Sequence, residues 1–213
     1  MLAHADYLLQ LHQIDLDYVR DMGAYFNNLP QTGHADTAFR LRRYSVVSMR
    51  DGVVCDEQRQ TFCQSSDVNG FQGDVLRQFE PLESTLISSK GMLQLCQGFQ
   101  EANQLDDGHE IEIHQIRIIT QGSPSLVAPE GIHQDGFAHI AIVGIARHNI
   151  QGGDFMVFRG KGEKAMFNEK LRDGEVAMLA DDKLWHYAKP IKIIDTNDIG
   201  YMDVFVLTAK GSA

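Results

Sequence analysis

The sequence predicts a mainly β fold with flanking helices, α+β in class, with a β-barrel or jelly roll as its core. Three observations lead there. Helical periodicity is concentrated in the first half of the chain. The second half is a series of short apolar or alternating runs separated by turn residues. Helices first and many strands afterwards suit a barrel or sandwich packed against helices.

Taken in order, Tyr7, Leu8, Leu11, Ile14, Leu16, Val19, Met22 and Phe26 recur at roughly helical spacing, which predicts a first helical stretch. Asn27-Asn28-Leu29-Pro30 ends it, and Gln31-Thr32-Gly33 reads as a loop. Phe39 to Met49 predicts an early strand. Pro81 to Ala102 predicts a second helical stretch through Leu82, Leu86, Ile87, Met92, Leu93, Leu95 and Phe99, broken by Asp106-Asp107-Gly108. Strands follow at Ile111–Thr120, His139–Ala146, Asp154–Arg159 and Glu175–Leu179. The run Trp185–Ile194 carries Pro190, so it is expected at an edge or interrupted. Tyr201–Ala209 is the last strand. We expect one domain over residues 1–213, with 1–105 a mostly helical flank with early strands and 106–213 the core that carries the functional site.

A chain of 213 residues suits one sizeable core. No segment reads as a signal peptide or membrane span, so no membrane partner is expected. Cys55, Cys63 and Cys96 form no metal-type pair. An odd number argues against a full disulfide framework and predicts a reducing cytoplasm. A net charge of −10 argues against nucleic acid, whose phosphates call for a basic surface. Arg40, Arg42 and Arg43 form the one tight basic cluster, and its ordinary explanation is a solvated face.

The run Gly131-Ile132-His133-Gln134-Asp135-Gly136 carries the strongest chemical signal. Residues i and i+2 of an extended strand point to one side, so His133 and Asp135 can reach one metal ion. Gly131 and Gly136 leave space beside it. His186, in Leu184-Trp185-His186-Tyr187, supplies a second imidazole from a distant strand. Two imidazoles and one carboxylate on one face hold non-haem Fe(II) and leave positions open for a co-substrate and O₂. The competing explanation is chance, since nine histidines are scattered through the chain. His4, His12, His34, His109 and His148 are expected to be exposed, and His139 to take a core or supporting role.

Several separated segments together resemble the bacterial 2-oxoglutarate-Fe dioxygenase family that includes the L-isoleucine dioxygenases and other free amino-acid hydroxylases. They are Phe39-Arg40-Leu41-Arg42-Arg43-Tyr44, Gln64-Ser65 through Asn69, Arg77-Gln78-Phe79, His114-Gln115-Ile116-Arg117 and Gly131 to Gly136. Gly152-Gly153-Asp154, His186 with Pro190-Ile191, and Gly200-Tyr201-Met202-Asp203-Val204 complete the set. Their order is right, and they run from about residue 30 to the end. The resemblance implies a double-stranded β-helix (jelly roll, cupin-like). It implies Fe(II) on His133, Asp135 and His186, with 2-oxoglutarate and O₂ as co-substrates. The implied reaction is hydroxylation of a free amino acid or similar small acid, coupled to decarboxylation of 2-oxoglutarate to succinate. A homodimer is a possible assembly.

One departure matters. The family usually carries Arg then Asp in the last strand, and that Arg anchors the distal carboxylate of 2-oxoglutarate. This chain has Met202-Asp203 there. A guanidinium forms bidentate charge-assisted bonds with a carboxylate, and a thioether cannot. Arg117 is the first candidate to replace it, with Gln115 on the same strand. Lys192 comes next, and Tyr201 could add a hydroxyl. Otherwise the protein uses a different oxo acid, or binds metal or a small molecule without turnover. A cupin-like isomerase or metal hydrolase would use the same three ligands. For the substrate carboxylate, Arg77 is the first choice, followed by Arg40 and Arg42.

Overall fold

The structure is a computed structural model that describes residues 7–33, 38–63 and 74–211. The Gln64 to Asn69 segment, His4 and His34 lie outside the described residues.

In the first half the elements are β1 (Leu9–Gln13), α1 (Leu16–Gly23), a 3-10 turn (Ala24–Asn28), β2 (Arg40–Arg50), β3 (Val53–Asp56), β4 (Thr61–Phe62), β5 (Arg77–Gln78), α2 (Ser84–Ile87) and α3 (Lys90–Asn103). In the second half they are β6 (Glu110–Thr120), β7 (His139–His148), β8 (Ile150–Gly152), β9 (Phe155–Phe158), β10 (Phe167–Glu169), β11 (Glu175–Ala180), β12 (Trp185–Ala188), β13 (Ile191–Ile193) and β14 (Gly200–Ala209).

An antiparallel seven-stranded sheet in the order β1-β11-β7-β14-β6-β2-β3 dominates the molecule. Smaller sheets, β10-β9-β12, β13-β8 and β4-β5, complete the architecture. The helices cover one face of the large sheet. Met22, Phe26, Leu86, Met92, Leu95 and Phe99 pack there on Val47, Ile113, Val143, Ile145, Phe205 and Leu207. The Phe26 and Phe205 rings meet edge to face at 5.1 Å. The opposite face, with Ile116, Ile118, Ile142, Val204 and Val206, looks into a cavity that Phe155 and His186 close from the three-stranded sheet. β6 and β14 thus bury side chains in both layers, and both faces of β14 carry apolar residues, Val204 and Val206 toward the cavity and Phe205 and Leu207 toward the helices.

Two expectations for the flank change. The apolar positions from Tyr7 to Phe26 do not form one helix: Leu9–Gln13 pairs with β11, Leu9 opposite Leu179 and Gln13 opposite Glu175. Asp15 then caps α1, its carboxylate accepting from the Asp17 N–H at 2.8 Å. The helical stretch after Pro81 is likewise two helices. Ser89 caps the second by accepting from the Met92 N–H at 3.1 Å, and Gln104 ends it in the left-handed region. Pro190 interrupts the β12–β13 run as expected. No helix among the described residues is long and apolar enough to cross a membrane.

Candidate metal centre and co-substrate cavity

His133 and His186 are joined by an isolated two-hydrogen-bond bridge, His133 N–H to His186 C=O at 3.0 Å and the reverse at 2.9 Å. This bridge brings a loop residue against β12 and sets the imidazoles 4.3 Å apart, centroid to centroid. Asp135 faces both, its Oδ1 3.5 Å from His133 Nε2 and its Oδ2 3.5 Å from His186 Nε2. One donor atom from each residue lies within 4.8 Å of the others. Metal–ligand bonds of about 2.0–2.2 Å place neighbouring donors roughly 3 Å apart, so these spacings suit one first-row metal ion. The His-x-Asp segment is a loop rather than the regular strand expected.

Both imidazoles are oriented through their far nitrogens. His133 Nδ1 lies 2.8 Å from the Gly131 carbonyl oxygen and donates to it. His186 Nδ1 lies 3.3 Å from Asp181 Oδ1. That separation is long for a hydrogen bond, yet neither atom has another partner among the described residues. Each ring therefore turns Nε2 toward Asp135, the tautomer a metal ligand needs. Asp181 is fully buried, and its Oδ2 accepts from the backbone N–H groups of Asp135, Gly136 and Phe137 at 2.8, 2.9 and 3.3 Å. One carboxylate thus folds the metal-binding loop and orients the distal imidazole. Sequence reasoning did not single out Asp181.

The electrostatics follow from this packing. Burial by itself would raise the Asp135 carboxyl, but bonds from His133 and His186 and their charge hold it well below the usual range. Burial would lower His186, but hydrogen bonds to Asp135 and Asp181, with their charges, lift it to about 10. In the metal-free protein a proton therefore sits on His186 against an ionised Asp135.

The cavity in front of this face has a volume of about 160 Å³. Arg40, Arg42, Arg77, Arg147, Glu130 and Met202 line it together with the three candidate ligands. Arg42 Nη2 lies 2.9 Å from His114 Nδ1, and its guanidinium sits 4.9 Å from the Phe79 ring centre. Arg77 sits 4.8 Å from the Phe62 ring centre. Burial and the Arg42 charge push His114 well below the ordinary histidine range, so it accepts from Arg42 as a neutral ring. The three arginines expected for the substrate therefore share a cavity with the three expected ligands.

The expected co-substrate residues do not. Arg117, Gln115, Lys192 and Tyr201 are absent from the cavity lining. On β6 the even residues His114, Ile116 and Ile118 face the cavity, which turns Gln115 and Arg117 away. Arg117 donates from Nε and Nη2 to the two oxygens of Asp203, both at 2.7 Å, with its guanidinium 4.0 Å from the Tyr201 ring centre. Gln115 is buried, and its amide has no hydrogen-bond partner among the described residues. Lys192 is exposed. These four assignments are corrected accordingly.

The family model of the 2OG-Fe dioxygenases matches residues 23–208. The chain belongs to the 2OG-Fe dioxygenase family. Members use Fe(II), 2-oxoglutarate and O₂, and the donor set of His133, Asp135 and His186 fits such an iron. Among solved structures, this dioxygenase is similar to a BsmA homologue from Methylobium petroleophilum PM1. That match has 26% identity and a TM-score of 0.79, and it covers 92% of this chain and 82% of the other. It also resembles in fold IDO from Bacillus thuringiensis, at 17% identity and TM-score 0.75 over 92% and 87% of the two chains. A prolyl-4-hydroxylase from Pseudomonas putida shares the fold at 13% identity and TM-score 0.52, over 98% and 95%. No curated protein sequence matches the chain.

Proposed function

We propose that this dioxygenase hydroxylates a free amino acid or a similarly small carboxylic acid, with His133, Asp135 and His186 as the iron ligands. The supporting observation is the convergence of these three side chains on a cavity lined by four guanidiniums. Against them stand Glu130, Asp135 and Asp203, and Arg117 takes up the Asp203 charge. Among the described lining residues guanidiniums outnumber carboxylates, a balance that would favour an acidic ligand. Arg77, with Arg40 and Arg42, would hold the substrate carboxylate through charge-assisted bonds. Glu130 would receive an ammonium group: its Oε1 lies 3.7 Å from His133 Nε2, and its buried Oε2 has no partner among the described residues.

Bound iron with 2-oxoglutarate and O₂ would supply the oxidising power for an unactivated C–H bond. The protein's part is to bind and orient. Asp181 holds the loop and the His186 ring. The aromatic shelf of Phe62, Phe79 and His114 stiffens Arg42 and Arg77. The apolar wall of Ile116, Ile118, Val204 and Val206 excludes water from the substrate carbon. No protein acid or base is required.

The test is succinate formation with a panel of free amino acids and small acids. The expected result is turnover that needs Fe(II), 2-oxoglutarate and the substrate together. No succinate across the panel, with iron shown to be bound, would overturn the reading and favour a binding protein without turnover.

A further inference from the structure

We propose that Arg147, on β7, binds the distal carboxylate of 2-oxoglutarate in place of the arginine that the family carries where this chain has Met202. Across the β7–β14 ladder, Met202 pairs with Arg147. Directly opposed residues on one sheet face have Cβ atoms only about 4.5–5.5 Å apart. A cation moved one strand sideways therefore still serves the same place in the cavity. Both side chains line the cavity, and Arg147 Nη1 lies 3.2 Å from the Met202 sulfur.

A regular β7 would not put Arg147 there. Ile142 and Gly144 face the cavity, so strict alternation would turn residue 147 to the helix side. The register shifts between Val204, opposite Gly144, and Asp203, opposite Ala146. Ile145 is the extra residue, and its side chain packs into the helix-covered core. That bulge reverses the alternation and turns Arg147 inward.

The surroundings fit an anion site. Arg147 Nη2 donates to the Gly152 carbonyl, and its neighbour across the ladder is a thioether, a weak acceptor. No carboxylate lies within ion-pairing distance of it among the described residues, in contrast to Arg117, which Asp203 neutralises. A half-buried guanidinium has to find an anion or carry a desolvation cost. Gly153, at φ +67°, keeps the space open: a Cβ there would stand 3.1 Å from both Arg147 Nη1 and Met202 Sδ. The Gly152-Gly153 motif thus acquires a role in framing this guanidinium.

The inference rests on the metal-centre reading, so metal binding is measured first. Calorimetry with Mn(II) establishes the centre, and the Mn(II)-loaded protein is then titrated with 2-oxoglutarate and with 2-oxobutanoate. The latter keeps the 2-oxo carboxylate but lacks the distal one. We expect the wild type to prefer 2-oxoglutarate. Arg147→Met should weaken 2-oxoglutarate at least about 30-fold while leaving Mn(II) and 2-oxobutanoate affinity unchanged. The double variant Arg147→Met, Met202→Arg, which moves the cation back to β14, should restore the preference. A preference kept in Arg147→Met, or absent from the wild type with Mn(II) bound, overturns the assignment of Arg147 alone. Failure of the wild type to bind Mn(II) overturns the metal centre and Arg147 with it. If Arg147→Met loses Mn(II) through misfolding, Arg147→Gln, which can still donate to the Gly152 carbonyl, decides by the same ratio.

Discussion

Replacing Asp181 by Asn changes one atom of a fully buried side chain, and the structure dictates which one. Oδ2 receives the N–H groups of Asp135, Gly136 and Phe137, so the amide oxygen must take that position. The amide nitrogen then faces His186 Nδ1, 3.3 Å from the original oxygen. An NH₂ group only donates, so Nδ1 must give up its proton and accept, which leaves the single ring proton on Nε2. Nε2 is the atom that faces Asp135 and the metal position. The variant thus holds the distal imidazole in the wrong tautomer, a change expected to cost about 10–100-fold in metal affinity. Two of the three backbone bonds are short, and each loses charge assistance worth about 1 kcal/mol. Stability should therefore fall by about 2 kcal/mol, and Tm by about 4–8 °C. Metal titration by calorimetry and thermal unfolding of the metal-free protein measure the two effects separately. Wild-type metal affinity with reduced stability would refute the tautomer argument and leave Asp181 as a loop anchor only.

Other consequences can be checked as directly. Metal binding at pH 7 should release close to one proton, the one held between His186 and Asp135; metal-binding enthalpies that do not vary with buffer ionisation enthalpy would contradict this. The same raised histidine stabilises the metal-free protein fully below the unfolded value of about 6.5, and that contribution fades as pH rises through about 10; His186→Gln should abolish the fall over that window in urea unfolding. Glu130→Gln should raise KM for the hydroxylated amino acid by about tenfold or more and leave 2-oxoglutarate affinity unchanged; an unchanged KM removes Glu130 from ammonium binding. Gln115→Met removes a buried amide without a partner among the described residues and should raise stability by about 1–3 kcal/mol; a lower Tm would show that the amide is satisfied.

The parts of the fold legible in the sequence are those where one signal dominates. β6, β7 and β14 are long runs between turn residues, and each starts within a residue of the expected position. β1 was hidden because Leu8, Leu11 and Ile14 satisfy a helical period while the real partner, β11, lies far along the chain. Tertiary pairing overrides a local period in such a case. β4 and β5 have two residues each, too short for any periodicity. The candidate metal residues were legible because their chemistry is scarce: a carboxylate beside one imidazole, with a second imidazole in a later strand. Asp181 was not, since its role depends on backbone N–H groups brought to it by the folded loop.

Arg147 shows the limit most clearly. Reading strands by alternation assumes that every residue counts once, and one bulged residue breaks the count for everything beyond it. From Ile142 and Gly144 the rule sends residue 147 outward; from β14 the pairing with Met202 sends it inward, and only the second statement uses the ladder. On β6 the same rule holds, because no register shift breaks the count. There the regular strand turns Arg117 onto Asp203. The two arginines answer one question together. Arg117 already has its carboxylate, whereas Arg147, turned in by Ile145 and set beside Met202, has a carbonyl and a sulfur. A missing residue in one strand is therefore best sought first at its cross-strand partners, since a neighbouring strand can deliver the same group to the same place.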